Sequence, residues 1–181
     1  QAMVLEKQPE KMVVIGSGAI GSEFAYFYNA IGTEVTIVEY LPNIVPLEDE
    51  EVSKQLEKIY KKNGIKVMTS SEVTSVDTKG KGCKVKVKSK DGKETTLECD
   101  VVLSAVGIAT NLEKVGIEEA GVKLSERKTH VEVDEFYRTS VEGVYAIGDI
   151  VKGPALAHVA SAEGIICVEN IAGKKPEPLD Y

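Results

Sequence analysis

A chain of 181 residues is long enough for one domain, or for one domain and part of another. Its 43% apolar and 28% charged residues are ordinary for a globular protein, and no apolar run approaches the roughly 20 residues of a membrane-spanning helix. The net charge of −7 argues against a nucleic-acid partner, and the opening QAMVLEKQPE has neither the basic nor the apolar region of a secretory signal.

Residues 11–15 read as a short buried strand stopped by Gly16. Beyond the glycines, Ile20, Phe24, Phe27, Tyr28 and Ile31 recur at helical spacing, and Gly32 supplies the C-terminal cap. Residues 33–40, TEVTIVEY, are rich in β-branched side chains and predict a second strand. Strand, helix and strand in this compass make a βαβ unit, with parallel pairing and a right-handed crossover. A second helix is predicted from the acidic stretch Glu48 to Glu51 through to Lys61 and Lys62, a polarity that complements the helix dipole. Val52, Leu56, Ile59 and Tyr60 form its apolar stripe, and Asn63-Gly64 ends it. Residues 65–67 lie at the heart of a third strand.

From Glu72 onward the pattern predicts strands joined by turns at Lys79-Gly80 and Asp91-Gly92. Lys84, Lys86, Lys88 and Lys90 alternate with Val85, Val87 and Ser89, which puts the lysines on the solvated face of an antiparallel ribbon. Residues 100–107, DVVLSAVG, suit a buried parallel strand. HVEVD (130–134) and GVYAIGD (143–149) are predicted strands. A helix runs between Pro154 and Gly173, and the small residues of its first half allow close packing against another backbone. Cys83, Cys99 and Cys167 are odd in number, form no Cys-x-x-Cys motif and lack zinc-ligand spacing. Free, buried or half-buried thiols in a reducing, cytoplasmic setting are expected.

Gly16, Gly18 and Gly21 form a G-x-G-x-x-G turn placed between a strand and a helix, where dinucleotide chemistry needs it. Gly16 permits the tight turn, Gly18 the approach of a pyrophosphate and Gly21 the close packing of helix on strand. The helix's free N–H groups then face the phosphates. An acid at the end of the second strand should bind a ribose 2′-hydroxyl, and Glu39 stands there. No lysine or arginine follows in YLPNIVPLE, so NAD is favoured over NADP.

With these features in place, VVIGSGAIGSEFAYFYNAIGTEVTIVE resembles the NAD-binding segment of the flavin-dependent pyridine nucleotide–disulfide oxidoreductases, and within them the dihydrolipoamide-oxidising branch. SAVGIATN is similar to the strand that closes that family's NAD domain. RTSVEGVYAIGDI is similar to its second flavin motif, and ALAHVASAEG to the helix start that follows. The resemblance implies an α/β fold: a Rossmann-like parallel sheet with an antiparallel β-ribbon crossover, plus a partial second α/β segment. It implies an NAD-binding domain over residues 7–123 and a partial FAD-binding segment over 124–181.

By the same resemblance, Gly16, Ser17, Gly18, Ala19, Ile20 and Gly21 hold the NAD pyrophosphate, and Glu23 approaches the nicotinamide end. Glu39 binds the ribose, Val73 lines the adenine side and Gly107 gives a backbone contact. Asp149 contacts the ribityl and phosphate region of FAD, and Ala155, Leu156, Ala157 and His158 lie along the flavin. On position alone, Glu23 equally suits a solvent-facing helix site, Val73 a strand core and Asp149 a cap. His158 is not a catalytic base, because the family's catalytic histidine belongs to a C-terminal domain outside this sequence. No catalytic residue and no metal ligand is expected. Many family members carry Arg-Pro where this chain has IATN after Gly107, so no side-chain contact is implied there.

The family's chemistry also needs a redox-active cysteine pair and a first flavin-binding segment. The chain therefore reads as an NAD(H)-binding fragment, inactive alone, of an enzyme that passes electrons from dihydrolipoyl groups through FAD to NAD+. The parent is expected to be a homodimer associated with 2-oxo acid dehydrogenase complexes, with no nucleic-acid or membrane partner. A mercuric, peroxide or coenzyme A disulfide reductase would share this segment, and a non-catalytic NAD-sensing module is the alternative of a different class.

Overall fold

The computed structural model describes residues 1–113 and 115–181, which divide into two compact units, residues 1–108 and 109–181. The first unit is built on a four-stranded parallel sheet of β1 (Lys11–Ile15), β2 (Glu34–Val38), β3 (Lys66–Met68) and β7 (Val101–Ser104), in the order β3-β2-β1-β7. Helix α1 (Ala19–Ala30) joins β1 to β2, and α2 (Glu50–Lys62) leads into β3. The chain then leaves the sheet for an antiparallel ribbon, β4 (Ser71–Gly80), β5 (Gly82–Ser89) and β6 (Glu94–Cys99), and returns as β7. The fold is α/β, a Rossmann-like parallel sheet with an antiparallel ribbon crossover.

Alternation along the strands explains the layering. Met12 and Val14 of β1 pack with Val35 and Ile37 of β2 against the helices, in a core shared with Ala25, Tyr28, Ile44, Tyr60 and Ile65. Val13 and Val38 point to the opposite face and meet Val85, Val87 and Cys99 of the ribbon. Both faces of the sheet are therefore covered, which is why its strands are nearly continuous apolar runs. On β5 the valines are buried, and Lys84, Lys86 and Lys88 face solvent as expected.

Two apolar stripes differ from the sequence-based expectation. On α1, Ile20, Phe27 and Ile31 are about half exposed, whereas Gly21, Ser22, Ala25 and Tyr28 face the sheet. The reason is steric: a Cβ on Gly21 would lie 2.1 Å from the Gly16 carbonyl oxygen, so the helix sits down on its small residues. On α2, Val52 and Ile59 are exposed while Ser53 and Tyr60 are buried. The Tyr60 hydroxyl donates to the Ser22 carbonyl at 2.9 Å, which ties α2 to α1. Asp49 caps α2 through the Glu51 N–H at 2.8 Å.

The second unit has a small core of Leu112, Val122, Val131, Ala146 and Val151 and one long helix, α3 (Ala157–Ile171). HVEVD and GVYAIGD are not strands here. Each contributes only a single bridge, Val131 with Leu124 and Tyr145 with Arg138. Beyond the bridges, Val131 N–H bonds to Ile150 O in a distant 3-10 turn and not to a neighbouring strand, so no continuous ladder forms. β-rich composition makes a strand only where a neighbour offers successive partners.

Candidate functional site

Where β1 has neighbours on both sides, its carboxyl end opens onto a cleft of about 640 Å³. Ligands of open α/β sheets bind outside the carboxyl ends of the strands at such a point. The ends of β1, β2 and β7 and the start of β4 supply its walls, through Ile15 to Ala19, Val38 to Leu41, Ser71 to Val73 and Ala105 to Gly107.

The three glycines of the turn have three different environments. Gly16 adopts φ +91°, and a Cβ there would lie 2.5 Å from the Ala105 carbonyl oxygen, so the turn must be tight and bare. Gly21 is blocked by the Gly16 backbone. Around Gly18, by contrast, a Cβ would meet nothing within 4 Å. The first two bare positions answer to the fold, and the third faces open space at the N-terminus of α1. The opening N–H groups of that helix have no intrahelical partner, and its dipole favours an anion there.

Glu39 is 6% exposed and accepts three hydrogen bonds. Ser17 N–H and Ser17 Oγ reach its Oε2 at 2.8 and 2.7 Å, and Leu41 N–H reaches Oε1 at 2.8 Å. The carboxylate thus sits on the cleft wall and also fixes the glycine turn. A carboxylate has about four acceptor positions, so the three bonds among the described residues leave one over. The resemblance places Ser17 at the pyrophosphate, and the structure adds a bond from its hydroxyl to Glu39. The signal for that bond is composition: a serine beside a turn glycine, with an acid closing the neighbouring strand.

The segment after β2 enters the site without a sequence signal. Val45 N–H donates to Ser17 O at 2.9 Å, and Val45, β-branched, is held at φ +40°. That is an unfavourable backbone conformation for such a residue, and it brings Pro46 and Leu47 to the cleft rim.

Of the residues anticipated in this unit, Gly16, Ser17, Gly18, Ala19, Glu39, Val73 and Gly107 converge on the cleft. Ile20 and Glu23 stand exposed on α1 and do not line it. In the second unit, Asp149 lies in a single turn of 3-10 helix, and Ala155, Leu156, Ala157 and His158 run into the start of α3. All five are exposed, and none lines that unit's cleft of about 620 Å³ between Ser125 and Tyr181.

The polar group that organises the second unit is Glu163, buried at 1% exposure. Its Oε2 accepts from Gly148 N–H at 2.5 Å and its Oε1 from the Tyr181 hydroxyl at 2.5 Å, with the Tyr137 hydroxyl 3.2 Å further on. Burial of the Tyr181 hydroxyl end, the adjoining Glu163 and Tyr137 together push that phenol well above its ordinary range. Among the described residues no cluster of three or more histidine, cysteine or acidic side chains could hold a metal ion, and no helix is long and apolar enough to cross a membrane.

Comparison with known proteins matches residues 1–164 to a family described as pyridine nucleotide-disulphide oxidoreductase. The chain is 43% identical to a dihydrolipoyl dehydrogenase of Mycobacterium leprae over 182 aligned positions, covering 100% of this chain and 38% of that protein. Among solved structures it resembles LpdA of Mycobacterium tuberculosis with TM-score 0.85 and 31% identity, over 97% of this chain and 37% of that one. It also resembles an NAD-dependent persulfide reductase of A. fulgidus with TM-score 0.81 and 33% identity, over 93% and 32%. The chain thus spans under two fifths of the length of these relatives.

Proposed function

Since this chain belongs to the pyridine nucleotide-disulphide oxidoreductase family, we propose that its first unit is the NAD(H) site of a dihydrolipoyl dehydrogenase. The observation that carries this reading is the Gly18 environment: open space at a helix N-terminus, beside a buried Glu39 with acceptor capacity left over. The residues fit a dinucleotide. Gly18 to Gly21 would receive the pyrophosphate on backbone N–H groups, Glu39 would accept from the adenosine ribose, and Val73 would flank the adenine. Glu39 and the lack of a cation after it favour NAD over NADP, because a 2′-phosphate would meet a carboxylate. Gly107, at φ +130° on the opposite wall, would contribute its backbone. Glu23 would enter only from the nicotinamide end, beyond the cleft proper.

When bound, NAD+ supplies the hydride acceptor. This chain's own part is to bind, orient and select it. In the whole enzyme, electrons would reach NAD+ from dihydrolipoyl groups through a redox disulfide and FAD, in a homodimer serving 2-oxo acid dehydrogenase complexes in the cytoplasm. Asp149 and residues 155–158 would belong to the flavin side, but by themselves these exposed residues do not enclose FAD. The 181-residue chain is accordingly expected to bind NAD(H) and to carry out no disulfide chemistry on lipoamide. The persulfide reductase likeness supports a second reading, another flavoprotein disulfide reductase with the same nucleotide site.

Calorimetric titration with NADH and NADPH tests the site, with Glu39→Ala and Glu39→Gln alongside. NADH should bind at least about tenfold more tightly than NADPH, a difference of about 1.4 kcal/mol. Both variants should narrow that ratio, with thermal unfolding recorded to separate lost selectivity from a loosened turn. Equal binding of the two nucleotides, or none, overturns the reading.

A further inference from the structure

Two of the three cysteines, distant in sequence, face each other. β5 and β6 pair around the Asp91-Gly92 turn in a register that places Cys83 directly opposite Cys99. Opposed residues of an antiparallel pair have Cα atoms about 4.5–5.5 Å apart, inside the roughly 4.4–6.8 Å window that a disulfide spans. Gly82 draws the strand ends together, since a Cβ there would lie 2.8 Å from the Cys99 carbonyl oxygen. Both thiols are free. Cys83 is half-buried, with Sγ 3.8 Å from the Asp100 carbonyl oxygen, and Cys99 is buried behind it.

The pair also has an entrance. Cys83 and Cys99 line a cleft of about 410 Å³ whose wall carries Lys11, Lys81 and Lys84 beside Glu10, Asp77, Glu98 and Asp100. This cleft lies at the amino end of β1, about 15 Å of strand away from the glycine turn at its carboxyl end. Nothing in the nucleotide site uses it.

We propose that Cys83 and Cys99 form a cross-strand dithiol site that closes reversibly into a disulfide on reaction with a small-molecule disulfide such as oxidised glutathione. Cys83, the accessible thiol, attacks one sulfur of the incoming disulfide as its thiolate. The S–S bond breaks, one glutathione leaves as thiolate, and Cys83 carries the other. Cys99 then loses its proton to solvent and attacks the Cys83 sulfur, which expels the second glutathione thiolate and joins β5 to β6. The two protein thiols are oxidised, one glutathione disulfide is reduced to two thiols, and the two protons released by the cysteines balance those thiolates. Burial, and then the neighbouring Cys83, push the Cys99 thiol above its ordinary range. The first step takes the negative charge off the Cys83 sulfur, which removes that repulsion before Cys99 must ionise.

The test is to incubate the reduced, folded chain with oxidised glutathione, block remaining thiols with an alkylating agent, and read intact mass and digested peptides. The expected product has lost two hydrogens, carries one blocked thiol, at Cys167, of the three originally free, and yields a linked Cys83–Cys99 peptide pair that dithiothreitol separates. Cys99→Ser should stop at the glutathione adduct on Cys83, and Cys83→Ser should react many-fold more slowly at Cys99. A wild-type product that stays as the Cys83 adduct, that leaves all three thiols unreacted, or that links chains or Cys167 instead overturns the proposal. NADH affinity, measured before and after oxidation, should be unchanged. A failure of nucleotide binding in both states would count against the nucleotide site alone.

Discussion

Glu39 in the first unit and Glu163 in the second are both buried glutamates, and each accepts a backbone N–H from a glycine turn. Their surroundings differ. The turn at Gly16 is held as well by Gly16 N–H to Val38 O, Val45 N–H to Ser17 O and Ala105 N–H to Ile15 O, bonds that run between neighbouring strands and loops. Glu39 is one restraint among several there, and it borders a cleft. Among the described residues no sheet flanks the turn at Gly148, and Glu163 itself links that turn, α3 and Tyr181. A glutamate backed by a sheet can keep acceptor capacity for a ligand. One that replaces a sheet is a structural pin: Glu163 is buried and gives one oxygen to Gly148 N–H and the other to the Tyr181 hydroxyl.

The sharpest way to break this contrast is to disturb the packing that the sheet imposes. Gly21→Ala forces a Cβ against the Gly16 backbone, which cannot swing aside as a side chain would. It should cost about 3 kcal/mol in chemical denaturation and abolish NADH binding. A stable, NADH-binding variant would show that the turn is looser than its geometry.

Glu163→Ala should cost about 2 kcal/mol by stranding Gly148 N–H and the Tyr181 hydroxyl. Hydrogen exchange should show the loss across residues 137–171 and leave residues 11–104 protected. Equal loss in both regions would end the view that each unit holds its own turn.

Gly18→Ala separates fold from ligand. The added methyl meets open space, so stability should fall by no more than about 1 kcal/mol, the difference between glycine and alanine at a helix N-cap. NADH affinity should nonetheless fall at least about tenfold, because that space is where a pyrophosphate would approach. Unchanged affinity would move the ligand elsewhere in the cleft.

The smallest effect lies in alkali. The folded-state pKa of Tyr181 is raised above the unfolded value of about 10, so the unfolded chain loses this proton first. The stability it contributes is complete below pH ~10 and is lost progressively as pH rises beyond it. Second-unit exchange protection should therefore weaken above that pH, and Tyr181→Phe should remove this part of the pH dependence. The same slope in the variant would assign it to another group.

Much of this was readable in advance because local chemistry dictates it. The βαβ unit, both first-unit helices, the lysine-faced ribbon and the order of Gly16, Gly18, Gly21 and Glu39 follow from periodicity, turn residues and spacing. The faces of α1 and α2 did not follow. Hydrophobicity favoured burying Ile20, Phe27, Val52 and Ile59, but contact distance to the sheet favoured Gly21, Ser22 and Ser53. HVEVD and GVYAIGD have the composition of strands but lack the continuous partner that a strand needs, which composition does not reveal. The cysteines looked unrelated by spacing, although folding the sequence about Asp91-Gly92 brings Cys83 to Cys99.

From the sequence alone follow the element types of the first unit, the long helix of the second, the glycine turn with its acid, and the family. Those rest on interactions within a few residues or on fixed motif spacing. Only the tertiary structure decided which helix faces are buried, that Glu39 also braces Ser17, that Glu163 anchors the second unit, and that two thiols stand opposed. Each of these depends on how closely one backbone approaches another, a distance set by the whole packed unit.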